Sequence, residues 1–281
     1  MSAEPFSLLI CTNGNEQTRP ALNYGVWLAA LLKTPVTLLG VVENREDPSR
    51  VQHLVDEAAQ KLAGAGVPYE IRLEQGRGTF VIARIADSGA FLTVLGRLGR
   101  PAWRRAIQGR SFRRVLEHVR TPILYVPEQQ QGLRHVLVCL GGLGYAESVE
   151  RLGLHLARIA GAAFTLLHVV EPVTMDYPVS KAIHDHWQQI QETDTPQGKN
   201  LRKALEEAQT TGISVQLKVR HGNAVHEILE EVKSGDYDLI GMGSPYSTHS
   251  LRHLYMPNVT AEVAEGAHCP ILAVRQGFSL V

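Results

Sequence analysis

Three glycines at a fixed spacing form the most informative chemical feature of this chain. Gly96, Gly99 and Gly109 stand in a Gly-2x-Gly-9x-Gly frame that follows an apolar run and leads into a stretch of helical period. Glycine permits a positive φ angle and lets the backbone approach a ligand closely. A loop that enters a helix N-terminus presents free backbone N–H groups to an anion such as phosphate. The spacing therefore predicts a loop that cradles phosphate.

Arginine is concentrated in the same loop. Residues 97–114 contain seven arginines and no acidic residue, although the whole chain balances 28 Lys and Arg against 28 Asp and Glu. A neutral chain has no general attraction for nucleic acid or an anionic membrane, so anion binding must be local. Two interpretations stay open, namely an anion-binding surface and a solvated helical face whose arginines pair with acids elsewhere.

The chain contains an internal duplication that explains its length of 281 residues. Residues 9–11 (LIC) recur as residues 137–139 (LVC), whereas residues 122–126 (PILYV) recur further along as residues 270–274 (PILAV). Collinear matches of this kind indicate two copies of one unit. We therefore predict a first domain at 1–131 and a second at 132–281. The growing offset places about 18 extra residues in the second copy, and we expect 175–199 to form a mobile helical excursion at the surface, outside the core.

Apolar runs of strand length alternate with helical segments in both copies, a pattern typical of parallel strands joined by helices. Their apolar residues at nearly every position predict that helices cover both faces of each sheet. The fold class is thus α/β, with two doubly wound, Rossmann-like five-stranded sheets that bind ligands at the carboxyl ends of the strands. The predicted strands are 7–12, 36–42, 69–74, 91–95 and 123–126, then 136–140, 163–170, 214–220, 239–242 and 271–274.

These motifs resemble the universal stress protein family, whose ATP-binding members carry Gly-2x-Gly-9x-Gly-Ser/Thr between their fourth and fifth strands. The resemblance covers both halves, since residues 238–244 and 268–274 are similar to the same two strands in the second copy. It implies an adenine nucleotide alpha hydrolase-like fold and ATP as ligand, with Mg²⁺ accompanying it. By resemblance, the nucleotide would contact the end of strand one, the Val41 region and the glycine loop: Asn13, Val41, Leu95, Gly96, Gly99, Gly109, Arg110 and Ser111.

The two copies depart from the family pattern to different degrees. In the first copy, Asn13 replaces the acidic residue after strand one and Arg110 replaces the hydroxyl residue after the third glycine. Asn still offers a donor and an acceptor, and Arg offers a charged fork for phosphate. In the second copy, Tyr246 and Pro257 stand at the second and third glycine positions, and proline has no N–H to offer. We therefore expect nucleotide binding in the first domain alone.

The sequence supports three functions. The first is a stress-response regulatory protein that binds a nucleotide, the second is a scaffold of the same fold that binds protein partners, and the third is a slow ATPase. We identify no catalytic residue and no metal site, because the glycine loop lacks both a Walker-type Lys and an adjacent Asp.

Further expectations concern compartment and assembly. The N-terminal stretch lacks the features of a signal peptide and no window has the length of a membrane span, so we expect a cytoplasmic protein. Three cysteines cannot all pair, which favours reduced thiols. Strands 123–126 and 271–274 would otherwise be apolar edges, so we predict an intramolecular pseudo-dimer through them, with homodimerisation of the chain as a further expectation.

Overall fold

The computed structural model describes residues 7–43, 47–89, 91–97, 111–141, 146–172, 187–244 and 259–278. In the first half, the strands are β1 Ser7–Thr12, β2 Val36–Val42, β3 Tyr69–Gln75, β4 Phe91–Gly96 and β5 Ile123–Val126. The helices of this half are α1 Arg19–Leu32, α2 Pro48–Gly64, α3 Gly78–Ala86 and α4 Ser111–His118, with a 3-10 turn at Glu16–Thr18 before α1.

The second half repeats this order of elements. Its strands are β6 His135–Leu140, β7 Ala163–Val170, β8 Val215–His221, β9 Leu239–Ser244 and β10 Ile271–Arg275. Its helices are α5 Glu147–Ala160, α6 Pro196–Gln209, α7 Ala224–Ser234 and α8 Val259–Gly266, with a 3-10 segment at Trp187–Glu192 before α6. In the described part of the chain, no helix is both long and apolar enough to cross a membrane.

The ten strands form one continuous sheet in the order β3-β2-β1-β4-β5-β10-β9-β6-β7-β8. Within each half every pair is parallel, whereas β5 and β10 pair antiparallel at the centre, with Leu124 opposite Leu272. The predicted fold of two doubly wound five-stranded sheets packed as a pseudo-dimer is confirmed. β5 and β10 thus satisfy each other's backbone hydrogen bonds, which would otherwise be unpaired at a sheet edge.

Two hydrophobic cores, one on each face of the sheet, extend through both halves. The first lies under α1, α2, α5 and α6, and the second under α3, α4, α7 and α8. Alternate strand residues enter opposite cores, so Leu272 lies in the first and Ala273 in the second. The halves therefore share their cores as well as their sheet.

Helices cover both faces of the sheet, as predicted, but β3 at the first outer edge remains exposed. β3 is exposed along most of its length, and its apolar side chains Tyr69, Ile71 and Leu73 are 40%, 42% and 49% accessible. An edge strand has a neighbour on one side only, so its side chains have fewer groups to pack against. Charged residues between these side chains protect the edge against pairing with other chains.

The described part of the insertion also differs from the prediction of a surface excursion. Residues 173–186 lie outside the described residues, but Ile190 in the following 3-10 segment is 1% accessible and belongs to the first core. Trp187 packs against the same core and stacks on His221 of β8, with 5.8 Å between ring centroids. This part of the insertion covers the apolar side of β8 because an edge strand buries little by itself.

The central strand pair generates a prediction about coupling between the halves. Leu124→Ala and Leu272→Ala should each cost about 2–5 kcal/mol, because each removes a fully buried side chain. The double variant should deviate from the sum by at least ~0.5 kcal/mol, since the two residues face each other across the pair. Chemical denaturation of the unaltered protein, the two single variants and the double variant measures this deviation in the free energy of unfolding. Leu54→Ala in α2 combined with Leu272→Ala serves as the additive control, and additivity of the central pair would contradict the shared core.

Candidate functional site

The candidate site lies where the strand order of the first half reverses, between β1 and β4. In a doubly wound sheet the connections from these neighbouring strands leave on opposite faces, which opens a crevice at their carboxyl ends. Ile10 pairs with Val94 in parallel register, so Thr12 and Gly96, two residues further along each strand, reach the same edge. The structure thus brings the start of the glycine loop beside the residues that follow strand one.

A compact turn follows β1 and forms one wall of this crevice. The Thr12 hydroxyl lies 2.6 Å from that of Thr18, which in turn donates to the Asn15 carbonyl at 2.7 Å. The Gly14 N–H donates to the Thr12 Oγ1 at 3.1 Å, and Gly14 has a φ of 78°. Sequence reasoning missed these two threonines as builders of the site. The run Thr-Asn-Gly-Asn after an apolar strand is the turn signal that points to them.

Asn13 lies within this turn and is half-buried. Its Oδ1 accepts the Asn15 backbone N–H at 3.2 Å, which is the hydrogen bond of an Asx turn. The acceptor of the side chain therefore helps to shape the loop, while its amide group can donate. An aspartate here would offer acceptors only, so the Asn13 amide adds a donor at the crevice.

Two of the predicted contact residues have their side chains in the core. Val41 and Leu95 are 2% and 3% accessible and belong to the core under α3 and α4. They can meet a ligand only through their backbone atoms at the strand ends. Glu43, just beyond β2, places its Oε1 2.8 Å from the Gly78 backbone N–H and so caps the N-terminus of α3.

Gly96 owes its residue type to packing within the protein. A Cβ atom at this position would come within 2.9 Å of the Thr18 Cα and 3.1 Å of the Ala21 Cβ. Contacts below about 3 Å force a shift of the backbone that follows β1. The glycine therefore allows the turn after β1 to lie directly against the end of β4.

The remainder of the predicted loop is described only in part. Gly99, Gly109 and Arg110 lie outside the described residues, and Ser111 begins α4. Arg97 pairs with Glu128 in the segment between the halves at 3.0 Å, and Glu128 also lies 3.1 Å from His268 of the second half. At this arginine, the interpretation of pairing with an acid elsewhere is correct.

The equivalent edge of the second half is built differently. His168, which matches Gly40 of the first copy, places its Nδ1 2.8 Å from the carbonyl of Leu140 at the end of β6. Burial lowers the pKa of His168, against the opposing effect of that hydrogen bond, and so favours the neutral ring. The Thr260 hydroxyl donates to the Gly243 carbonyl of β9 at 2.9 Å. Side chains of the protein therefore already bond to the strand-end carbonyls of Leu140 and Gly243 at this edge. Tyr246 and Pro257 lie outside the described residues.

The described residues offer little other chemistry of a reactive or metal-binding kind. All three cysteines are free, and burial raises the pKa of the Cys139 and Cys269 thiols to about 12, which disfavours the reactive thiolate. In the ranges that the structure covers, no group of three His, Cys, Asp or Glu side chains could hold a metal ion.

The fold and the crevice together define a tandem, doubly wound α/β protein. Its crevice lies at the switch point of the first half, where sheets of this class usually bind ligands. Family comparison agrees with this class. The model of the universal stress protein family matches residues 7–127 and again residues 132–275. The chain belongs to the universal stress protein family.

Similar proteins match either nearly the whole chain or one half of it. A universal stress protein of Synechocystis sp. is 24% identical over 308 aligned residues, which cover 96% of this chain and 99% of that protein. The universal stress protein YxiE of Bacillus subtilis is 27% identical over 145 residues, or 50% of this chain and 97% of its own. The crystal structure of a universal stress protein from Archaeoglobus fulgidus superposes with a TM-score of 0.71 at 17% identity, covering 96% of this chain and 98% of that one. At this identity the superposition shows a common fold.

The contacts around Gly96 generate a second prediction. Gly96→Ala should destabilise the protein by about 1–3 kcal/mol, because its Cβ would displace the turn at Thr18. Gly141→Ala is the control, since a Cβ at that position in the second half meets none of the described residues within 4 Å. Urea denaturation compares the two variants. Equal stability of both would show that the turn adapts and that packing does not require Gly96.

Proposed function

We propose that this protein is a cytoplasmic stress-response regulator that binds ATP or a related nucleotide in its first domain and performs no conventional catalysis. The observation that carries the proposal is the position of the glycine loop. It leaves β4 at the switch point of the sheet, beside Asn13 at the end of β1. Crevices at this point are the usual ligand sites of doubly wound sheets.

Features of the described residues support binding of the base and ribose end of a nucleotide. Asn13 offers an amide donor that can meet an acceptor on a purine ring, and the strand ends at Val41 and Leu95 offer backbone groups. ATP would supply a polyphosphate for the glycine loop, where Gly99, Gly109 and Arg110 are the proposed contacts. Free N–H groups at the start of α4, together with neighbouring arginines, would stabilise that negative charge.

A scaffold that binds no nucleotide is the second candidate, and two observations favour it. Gly96 is explained by its contact with the turn after β1, without any ligand. Arg97, the first arginine of the loop, is occupied by Glu128. In this alternative the loop presents a surface to a protein partner or to a second copy of the chain. A slow ATPase would use the same site and differ only in turnover.

Calorimetric titration of the full-length protein with ATP tests the proposal. We expect one site per chain, and ATP at about a hundredfold over its Kd should raise stability by roughly 2.7 kcal/mol. Gly109→Val should abolish most of this gain, because a Cβ would crowd the phosphate and resist a positive φ. Its melting temperature without ATP establishes that the variant is folded.

The control is Gly141→Val, which alters the corresponding edge of the second domain and should leave binding unchanged. Two equivalent sites, or loss of binding in Gly141→Val alone, would overturn the assignment to the first domain. Absence of binding in the unaltered protein would instead favour the scaffold. Formation of ADP and phosphate at a rate that Gly109→Val removes would identify a slow ATPase.

A further inference from the structure

A buried carboxyl group in the second domain has no counterpart in the first. Glu150 on α5 is 7% accessible, and at the offset of the two copies it matches Leu22 of α1, a residue of the first core. No hydrogen-bond donor of the described residues reaches its carboxylate. Burying an unpartnered carboxylate is unfavourable, so its presence at an apolar position calls for a reason outside folding.

Glu150 lines a cleft of about 60 Å³ between α5 and α6, at the carboxyl end of β6. Leu140, Ala146, Leu201 and Ala204 form its apolar walls, while Glu147, Lys203 and Glu207 stand with Asn200 among its polar lining. The volume is enough for a few water molecules or a short unbranched ligand. A carboxyl group combined with apolar walls suits a cation on an aliphatic stem.

Among the described residues, no Lys, Arg or His forms an ion pair with Glu150. Arg151 pairs with Glu147 at 2.6 Å, and the Lys203 Nζ lies 3.6 Å from Glu207 and 3.9 Å from Glu147. Lys203, the cation that lines the cleft, and the neighbouring Arg151 are thus engaged by Glu147 and Glu207. When Glu150 is ionised, three carboxylates share these two cations, and a bound cation would balance the charge.

We propose that this cleft binds the ammonium group of a small primary amine, with Glu150 as its anionic partner. A divalent metal ion fits less well, because the carboxylates do not converge, and no metal-holding group of three such side chains exists in the described ranges. An ammonium needs one close carboxylate and hydrogen-bond acceptors, and its methylene stem can pack on the leucine and alanine walls.

Protonation of Glu150 links this site to pH. Burial, followed by the neighbouring Glu207 and Glu147, raises the pKa of Glu150 to about 7, and Lys203 and Arg151 oppose the shift only weakly. The neutral form predominates below pH 7, and an ammonium ion binds the ionised form. Amine affinity should therefore rise with pH and fall about tenfold per pH unit below the pKa, as the competent fraction falls. Binding near pH 6.5 should release a proton.

Titration calorimetry of the full-length protein with n-butylammonium chloride tests the proposal. Heats measured at pH 6.5 in two buffers of different ionisation enthalpy report the released proton. Glu150→Gln keeps the shape of the side chain and should lose both the binding and the pH dependence. Glu206→Gln, at an exposed position of α6, should bind as the unaltered protein does. Neutral n-butanol should give no comparable signal.

A stability measurement shows whether the variants are folded. Since the folded-state pKa of Glu150 is raised, the unaltered protein should lose stability as pH rises from about 4.5 to about 7. The melting temperatures of Glu150→Gln and Glu150→Leu should therefore rise relative to that of the unaltered protein between about pH 4.5 and about pH 7. Above about pH 7 the difference should stay constant. Binding that survives in a folded Glu150→Gln, pH-independent binding, or Mg²⁺ binding without amine binding would overturn the proposal.

Discussion

The antiparallel pairing of β5 with β10 is the contact on which the rest of this molecule depends. Each of these strands is the last of its half and, left alone, would expose apolar side chains and unpaired backbone groups at a sheet edge. Their pairing converts two five-stranded sheets into one and aligns the helices of both halves on common faces. Since β5 and β10 pair with each other, β3 and β8 form the only sheet edges among the described strands.

The two halves share this fold but differ in the ion pairs between their helices. Arg19 of α1 pairs with Glu57 of α2, whereas Glu147 and Lys203 hold the matching positions with the signs reversed. Either arrangement satisfies the contact, because an ion pair needs opposite signs and not a given order. The fold requires only apolar residues at the buried strand positions. The residues at the carboxyl ends of the strands can therefore differ between the two halves. One edge carries the glycine loop, and the other carries His168 and the Glu150 cleft.

Much of the fold could be predicted from the sequence. All ten strands lie within two residues of their predicted ends, since each is an apolar run bounded by polar or turn residues. Exposure of β3 and burial of Ile190 could not be predicted, because the order of the strands and the groups packed at the two outer edges are not local properties of the sequence. Of the candidate site, the sequence indicated the strand ends at Asn13 and Gly96. It did not show that Gly96 is held by Thr18, a contact that depends on the path of the turn.

By itself, the sequence determined the duplication, the strand and helix order, the family and the location of the glycine loop, because these follow from local pattern and spacing. Only the tertiary structure decided which side chains meet. It placed Glu128 between Arg97 and His268, tied the His168 ring to a strand-end carbonyl, and enclosed Glu150 between two helices. Burial and pairing are properties of groups brought together from distant parts of the chain. A carboxylate is ordinary in the sequence and becomes chemically distinct only when the fold takes its water away.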